Sequence, residues 1–108
     1  MSRTEKTDQK AVQLAVEGEM TIFRAADLKA AMLSEMELGQ VVEIDLSRVT
    51  EIDSAGLQLM VAAKLEAILR GKELHFSGHS QPVLDMLDLC DLGGFFGDQI
   101  IIPSHASQ

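Results

Sequence analysis

Three stretches of this chain alternate strictly between apolar residues and others, and the segments between them repeat every three to four residues instead. Val12, Leu14 and Val16 are interleaved with Gln13, Ala15 and Glu17; Val42, Ile44 and Leu46 with Glu43 and Asp45; Leu74 and Phe76 with Glu73, His75 and Ser77. A two-residue period places alternate side chains on opposite faces of a pleated strand. Parallel strands covered on both faces read as unbroken apolar runs, yet here Gln13, Glu43, Asp45, Glu73 and His75 fall on the second face. The pattern therefore predicts a sheet with one core face and one largely polar face.

The intervening segments carry helical spacing. Leu28, Met32 and Met36 define a first helix over residues 25–38, with Asp27 near its positive end and Gly39 just past its last turn. A second helix spans residues 54–70 and is closed by Gly71; a helical wheel gives it a core side of Leu57, Val61, Leu65 and Ile68, with Glu66 and Arg70 on the far side. Ser80 is placed to cap a third helix that carries Pro82 in its first turn, where a missing N–H costs nothing, and Val83, Met86, Leu87 and Cys90 form its buried stripe. Gly18 reads as the turn of a hairpin into a second strand over residues 20–23. After Gly93, Gly94, Phe95 and Phe96, the residues Ile100 to Ile102 form a last short strand.

The order β-β-α-β-α-β-α-β, with right-handed helical crossovers, predicts a single two-layer α/β domain: a mixed, mostly parallel sheet of about four to five strands with helices mainly on one face. Residues 1–9 are polar and aperiodic and are expected to form a flexible leader, residues 10–103 the domain, and residues 104–108 a frayed tail.

At 108 residues and 46% hydrophobic content, the chain has material for one core, and a chain of this size folds without metal or disulfide staples. Its one cysteine, Cys90, has no internal partner, which fits a reducing, cytoplasmic compartment. No apolar run approaches the ~20 residues that span a bilayer, so direct membrane insertion is not expected. Seventeen acidic against nine basic residues give a formal charge of −8, which repels phosphate backbones, and four phenylalanines are the only aromatics. Nucleic-acid binding is disfavoured on both counts.

Enzyme signals are thin. The sequence contains no G-x-S-x-G elbow, no G-x-x-x-x-G-K phosphate loop and no H-E-x-x-H pair. His75 and His79 are four apart, but a strand and Gly78 keep them off a shared helical face, which argues against metal binding. Asp85, Asp88 and Asp91 read as a solvated stripe, since no loop supplies the further oxygens calcium needs. No catalytic residue, metal or cofactor is expected.

Chemistry is concentrated instead in residues 51–57, E-I-D-S-A-G-L, where a strand passes through a loop into a helix. Asp53 or Ser54 is placed to accept a hydrogen bond from the free N–H groups of the first turn. The Ser54 hydroxyl is equally suited to carry a phosphate, which adds about −1.5 to −2 charges beside Asp53 and at the positive end of a helix dipole. Capping and phosphorylation are compatible. Ala55, Leu59, Ala62 and Ala63 make a small apolar surface flanking the Ser54 end, suited to docking a partner whose affinity the phosphate controls.

With V-V-E-I-D-L-S before the D-S-A-G turn and L-Q-L-M-V-A-A-K after it, the chain resembles a STAS domain of the anti-sigma factor antagonist type. The likeness extends through G-K-E-L-H-F-S-G, S-Q-P-V-L-D-M-L-D-L and G-F-F-G, from Lys10 to Ile102. The resemblance implies a STAS-like domain acting as a non-enzymatic switch. Its unphosphorylated form would bind a regulator, an anti-sigma factor that is also a serine kinase; phosphorylation would break the complex, and a PP2C-like phosphatase would restore it. Carried over, Ser54 is the phosphoacceptor, Asp53 and Gly56 shape the turn, and Ala55, Leu57, Gln58, Leu59 and Ala62 at the helix start contribute to docking. The alternative that the resemblance holds open is a small subunit of an ABC-type lipid-transport complex at the cytoplasmic membrane face, with the same helix surface as a permanent docking site.

Overall fold

The computed structural model describes residues 11–90. Three parallel strands, β1 (Ala11–Met20), β2 (Val41–Ile52) and β3 (Glu73–Ser77), lie side by side in chain order, joined and followed by helices α1 (Ala25–Leu38), α2 (Ser54–Leu69) and α3 (Gln81–Cys90). The alternation of the sequence sets the register. Val12 pairs with Val42 and Val42 with Leu74; Leu14 pairs with Ile44 and Ile44 with Phe76, so apolar rows run straight across the sheet. A slip by one residue would turn each row to the wrong face.

Val16, Met20, Val42, Ile44, Leu46, Val49, Leu74 and Phe76 are buried on the core face, against Leu28, Met32 and Met36 of α1, the inner side of α2, and Val83 and Leu87 of α3. Met20, Met32, Met36 and Met60 are all 0% exposed, so thioethers take much of the space that aromatics fill elsewhere. Gln13, Glu43, Glu73 and His75 are exposed on the other face, as the alternation predicts. Glu43 accepts a hydrogen bond from Ser77 at 2.9 Å, and His75 lies 3.2 Å from Glu73.

The helix ends are closed by identifiable contacts. Gly71 has φ +69, its N–H donates to the Ile68 carbonyl at 3.1 Å, and the Lys72 N–H donates to the Ala67 carbonyl at 2.9 Å. That is a Schellman closure of α2, as Gly71 predicts. The Lys72 ammonium then donates to the Met36 and Gly39 carbonyls, supplying partners to the last turn of α1.

Four sequence expectations change. The hairpin at Gly18 does not form: β1 runs through it to Met20, with register shifts on either side and Gly18 at φ +85. The long β2, which extends to Ile52, offers ladder partners to Gly18, Glu19 and Met20, so the glycine bends the strand instead of reversing it. Residues 20–23 accordingly end a strand and begin the turn into α1, with the Arg24 N–H donating to the Thr21 carbonyl at 2.9 Å.

The core side of α2 is also rotated from the expected one. Gly56, Leu57, Leu59, Met60, Ala63 and Ala67 are buried, whereas Leu65 and Ile68 are 48% and 66% exposed. Leu57 is buried and Val61 half-buried against the core, as expected; Leu59, Met60 and the small residues Gly56, Ala63 and Ala67, rather than Leu65 and Ile68, complete the packed stripe. In α3 the buried stripe holds for Val83 and Leu87 and is partial at Met86, but Cys90, in the last turn, is exposed. Ser80 does stand before α3, and its carbonyl accepts from the Leu84 N–H at 2.9 Å, but its hydroxyl makes no hydrogen bond among the described residues. The expected leader, the strand at residues 100–102 and the tail lie outside the described residues.

Candidate functional site

In a parallel sheet every strand delivers its following loop to the same edge, and crevices at that carboxyl edge are where open α/β sheets place ligands and partners. Here the β1–α1 and β2–α2 turns emerge side by side, because Met20 pairs with Ile52 at the ends of neighbouring strands.

Asp53 joins the two turns. As the N-cap of α2 it has an extended backbone, with φ −120 and ψ −172, and its Oδ1 accepts from the Gly56 N–H at 3.0 Å. Its Oδ2 accepts from the Ile22 N–H at 3.1 Å, across 31 residues of chain. The Asp53 N–H reaches the Met20 carbonyl at 3.4 Å, and the Asp53 carbonyl accepts from the Leu57 N–H at 3.0 Å. Amide donors from Gly56 first, and then Ile22, hold the carboxyl below the ordinary value of 3.8 by stabilising its ionised form.

Since Asp53 does the capping, Ser54 is left as the first helical residue with its side chain exposed. Its hydroxyl makes no hydrogen bond among the described residues. Gly56 is buried for a reason internal to the fold: a Cβ there would lie far inside van der Waals distance of the Met20 carbonyl oxygen and 3.0 Å from Ile52 Cγ1. The resemblance has this glycine shape the turn, and its lack of a side chain is what admits the end of β1.

Of the residues singled out for docking, Ala55, Gln58, Leu59 and Ala62 line one open groove of about 290 Å³. Its opposite wall is Ala25, Ala26 and Lys29 of α1. Leu59 is 5% exposed at the base of that groove, and Leu57 is buried beneath the helix. Ala63, grouped with them from the sequence, is buried and lines no part of it.

The sequence pointed to one wall and missed the other. It also missed the turn before α1, where Ile22 and Phe23 are 67% and 87% exposed. Arg24 fixes the far side of that turn by donating to the Glu17 and Glu19 carbonyls. Two consecutive apolar residues that break the alternation after Met20 were the available signal, and they were absorbed into the supposed second strand. Among the described residues no group of three His, Cys, Asp or Glu side chains is arranged to hold a metal ion. No helix among them is long and apolar enough to cross a membrane.

A family model described as Mlab, STAS domain matches residues 3–102. No curated protein matches the chain in sequence. Among solved structures, the anti-sigma factor antagonist SpoIIAA in its unphosphorylated form superposes with a TM-score of 0.66 at 17% identity, covering 85% of this chain and 82% of that one. A sulfate transporter family protein from Wolinella succinogenes gives 0.68 at 22% identity, over 81% of this chain and 71% of its own. The SulP transporter STAS domain from Vibrio cholerae gives 0.63 at 22% identity, over 82% and 70%. At these identities the structural likenesses establish the shared fold.

Proposed function

The chain belongs to the STAS domain family, and on that premise we propose that it is a non-enzymatic, anti-sigma factor antagonist-like switch controlled by reversible phosphorylation of Ser54. The observation that carries this reading is the division of labour at the start of α2. Asp53 caps the helix, so the exposed Ser54 hydroxyl is spare and can be modified without uncapping it. The partner is a protein regulator with serine kinase activity that binds the unmodified form. In the modifying step the Ser54 Oγ attacks the γ-phosphorus of a nucleoside triphosphate held by that kinase; the Oγ–P bond forms, the bond to the nucleoside diphosphate breaks, and the hydroxyl proton leaves. A PP2C-like phosphatase restores the hydroxyl by hydrolysis, releasing inorganic phosphate.

Docking uses the α1–α2 groove together with the exposed Ile22 and Phe23. Asp27 in the first turn of α1 and Glu51 near the end of β2 are exposed and the whole chain carries −8, so the complementary partner surface is apolar at its centre and basic at its rim. A phosphate at Ser54 adds about −1.5 to −2 charges to one end of this surface, which opposes the burial of that end against a partner.

Phosphosite mapping by mass spectrometry of the protein recovered from its own cells in several growth states, with a Ser54→Ala strain as control, tests this. Phosphate confined to Ser54 and varying with condition is the expected result. Ser54→Ala should retain the regulator and Ser54→Asp should release it; equal binding by both would sink the reading.

A second reading, held open by the family resemblance, is a constitutive STAS subunit of an ABC-type lipid-transport complex. The groove would then be a permanent seat for an ATPase subunit. Stable co-purification with an ATPase, indifferent to Ser54 substitution, would decide for it.

A further inference from the structure

We infer that Asp53 is a relay: a phosphate on Ser54 drives its carboxylate off the Ile22 N–H and frees the Ile22–Phe23 turn from its fixed position. This rests on the proposed modification of Ser54 and deepens it, by saying how a charge at the helix start alters a docking element on another turn.

Ile22 and Phe23 are 67% and 87% exposed, so packing contributes little to holding them. Their position depends on hydrogen bonds at the two sides of the turn. Within the turn the Arg24 N–H donates to the Thr21 carbonyl at 2.9 Å, which fixes its shape but not its place. On one side the Arg24 guanidinium donates to the Glu17 and Glu19 carbonyls, and the Asp53 N–H reaches the Met20 carbonyl at 3.4 Å just before the turn. On the other, the Ile22 N–H donates to Asp53 Oδ2 at 3.1 Å, while Oδ1 of the same carboxylate takes the Gly56 N–H at 3.0 Å.

A phosphoserine at position 54 stands on the residue next to this carboxylate, at the start of α2. It brings like charge, and its acceptor oxygens compete for the unpaired N–H groups of the first helical turn. The Gly56 N–H belongs to that turn, so the phosphate can take it over. The Ile22 N–H belongs to another segment and has no such substitute. Repulsion that moves Asp53 therefore loosens the bond to Ile22, and the apolar pair loses the anchor that orients it for a partner.

The test uses the full 108-residue chain, ¹⁵N-labelled, with phosphoserine incorporated at position 54 during synthesis, beside the unmodified chain and the Asp53→Asn variant in both states. In the phosphorylated wild-type chain the Ile22 amide proton signal should move toward its position in unmodified Asp53→Asn. Its exchange with solvent should rise roughly tenfold or more, the scale set by losing a hydrogen bond to a charged acceptor. In the Asp53→Asn background, phosphorylation should leave the Ile22 signal in place.

Two results would overturn the relay. One is an Ile22 signal unmoved by phosphorylation while residues 54–57 shift. The other is a shift of Ile22 that persists in Asp53→Asn, which would make it a through-space effect of the phosphate. Should Asp53→Asn fail to fold, as the dispersion of core amides such as Phe76 would reveal, comparison of the two wild-type forms still decides the first point. Because the phosphate is installed chemically, absence of Ser54 phosphate in cells would defeat the proposed function without touching this measurement.

Discussion

Asp53, Ser54 and Gly56, around the start of α2, have three separate jobs, and substitution distinguishes them. Ser54 is exposed and unused by the fold, so Ser54→Ala should change stability by no more than about 0.5 kcal/mol in a urea titration. Gly56→Ala forces a methyl group into the Met20 carbonyl, and overpacking of this kind costs about 1–3 kcal/mol or more. Far-UV circular dichroism is the probe to use, since the chain has no Trp or Tyr.

Asp53 is read by pH. Its folded-state value is held below the ordinary 3.8, chiefly by the Gly56 N–H, so its contribution is fully present above the unfolded value and is lost as pH falls through the folded one. Asp45 behaves in the same direction, held down by the Ser47 N–H at 2.9 Å. Urea midpoints should therefore fall as pH drops below the ordinary carboxylate range, and Asp53→Asn should flatten part of that fall while leaving the share from Asp45. An unchanged pH profile in Asp53→Asn would contradict the capping role. The cap itself was legible, because Asp before a helix is a local signal. The bond from Asp53 to Ile22 was not, because nothing in the sequence ties residues 31 apart.

At the scale of elements, the sheet was legible and the helix packing only partly so. Val42, Ile44 and Leu46 alternate with acidic residues, and only one assignment of faces satisfies that pattern. In α2 nearly every side of the helix carries an apolar residue, so size is a poor guide: Leu57 is buried as expected, but Leu65 and Ile68 are not, and Leu59, Met60, Ala63 and Ala67 complete the core side. Gly18 shows a different limit. A glycine with positive φ serves a hairpin turn or a bulge equally, and the choice was made by β2 lying alongside. Gly71 was unambiguous, and it carries a prediction. Its φ of +69 is disfavoured for any L-residue although open space surrounds it, so Gly71→Ala should destabilise by about 1–2 kcal/mol through backbone strain alone. A loss well below this, read from the urea midpoint, would mean that the Schellman closure gives way at little cost.

For the molecule as a whole, the net charge of −8 shapes how a partner arrives more than how firmly it stays. Screening shortens from about 10 Å at 0.1 M salt to about 3 Å at 1 M. Association of the proposed regulator should therefore slow over that range while dissociation changes less, as stopped-flow or surface-based kinetics would read. An association rate indifferent to salt would show that the basic surround inferred for the partner does not exist. The charge was legible from composition, but the groove was not, because Lys29 on α1 and Gln58 on α2 come to line one groove only through the parallel order of the strands.

The methionine-filled interior has a consequence of its own. A thioether is attacked by peroxide only when solvent reaches it, and the sulfoxide that results is too polar to return to a packed interior. Met20, Met32, Met36 and Met60 are sealed at 0% exposure, whereas Met86 is only partly covered. Among the described methionines Met86 should gain oxygen first under mild peroxide, and the sealed four should follow together at a rate set by the fraction of time the domain stands open. The oxygen gained stays in the mass of the chain, so a population aged in oxidant carries a written history of how much of its life it spent apart.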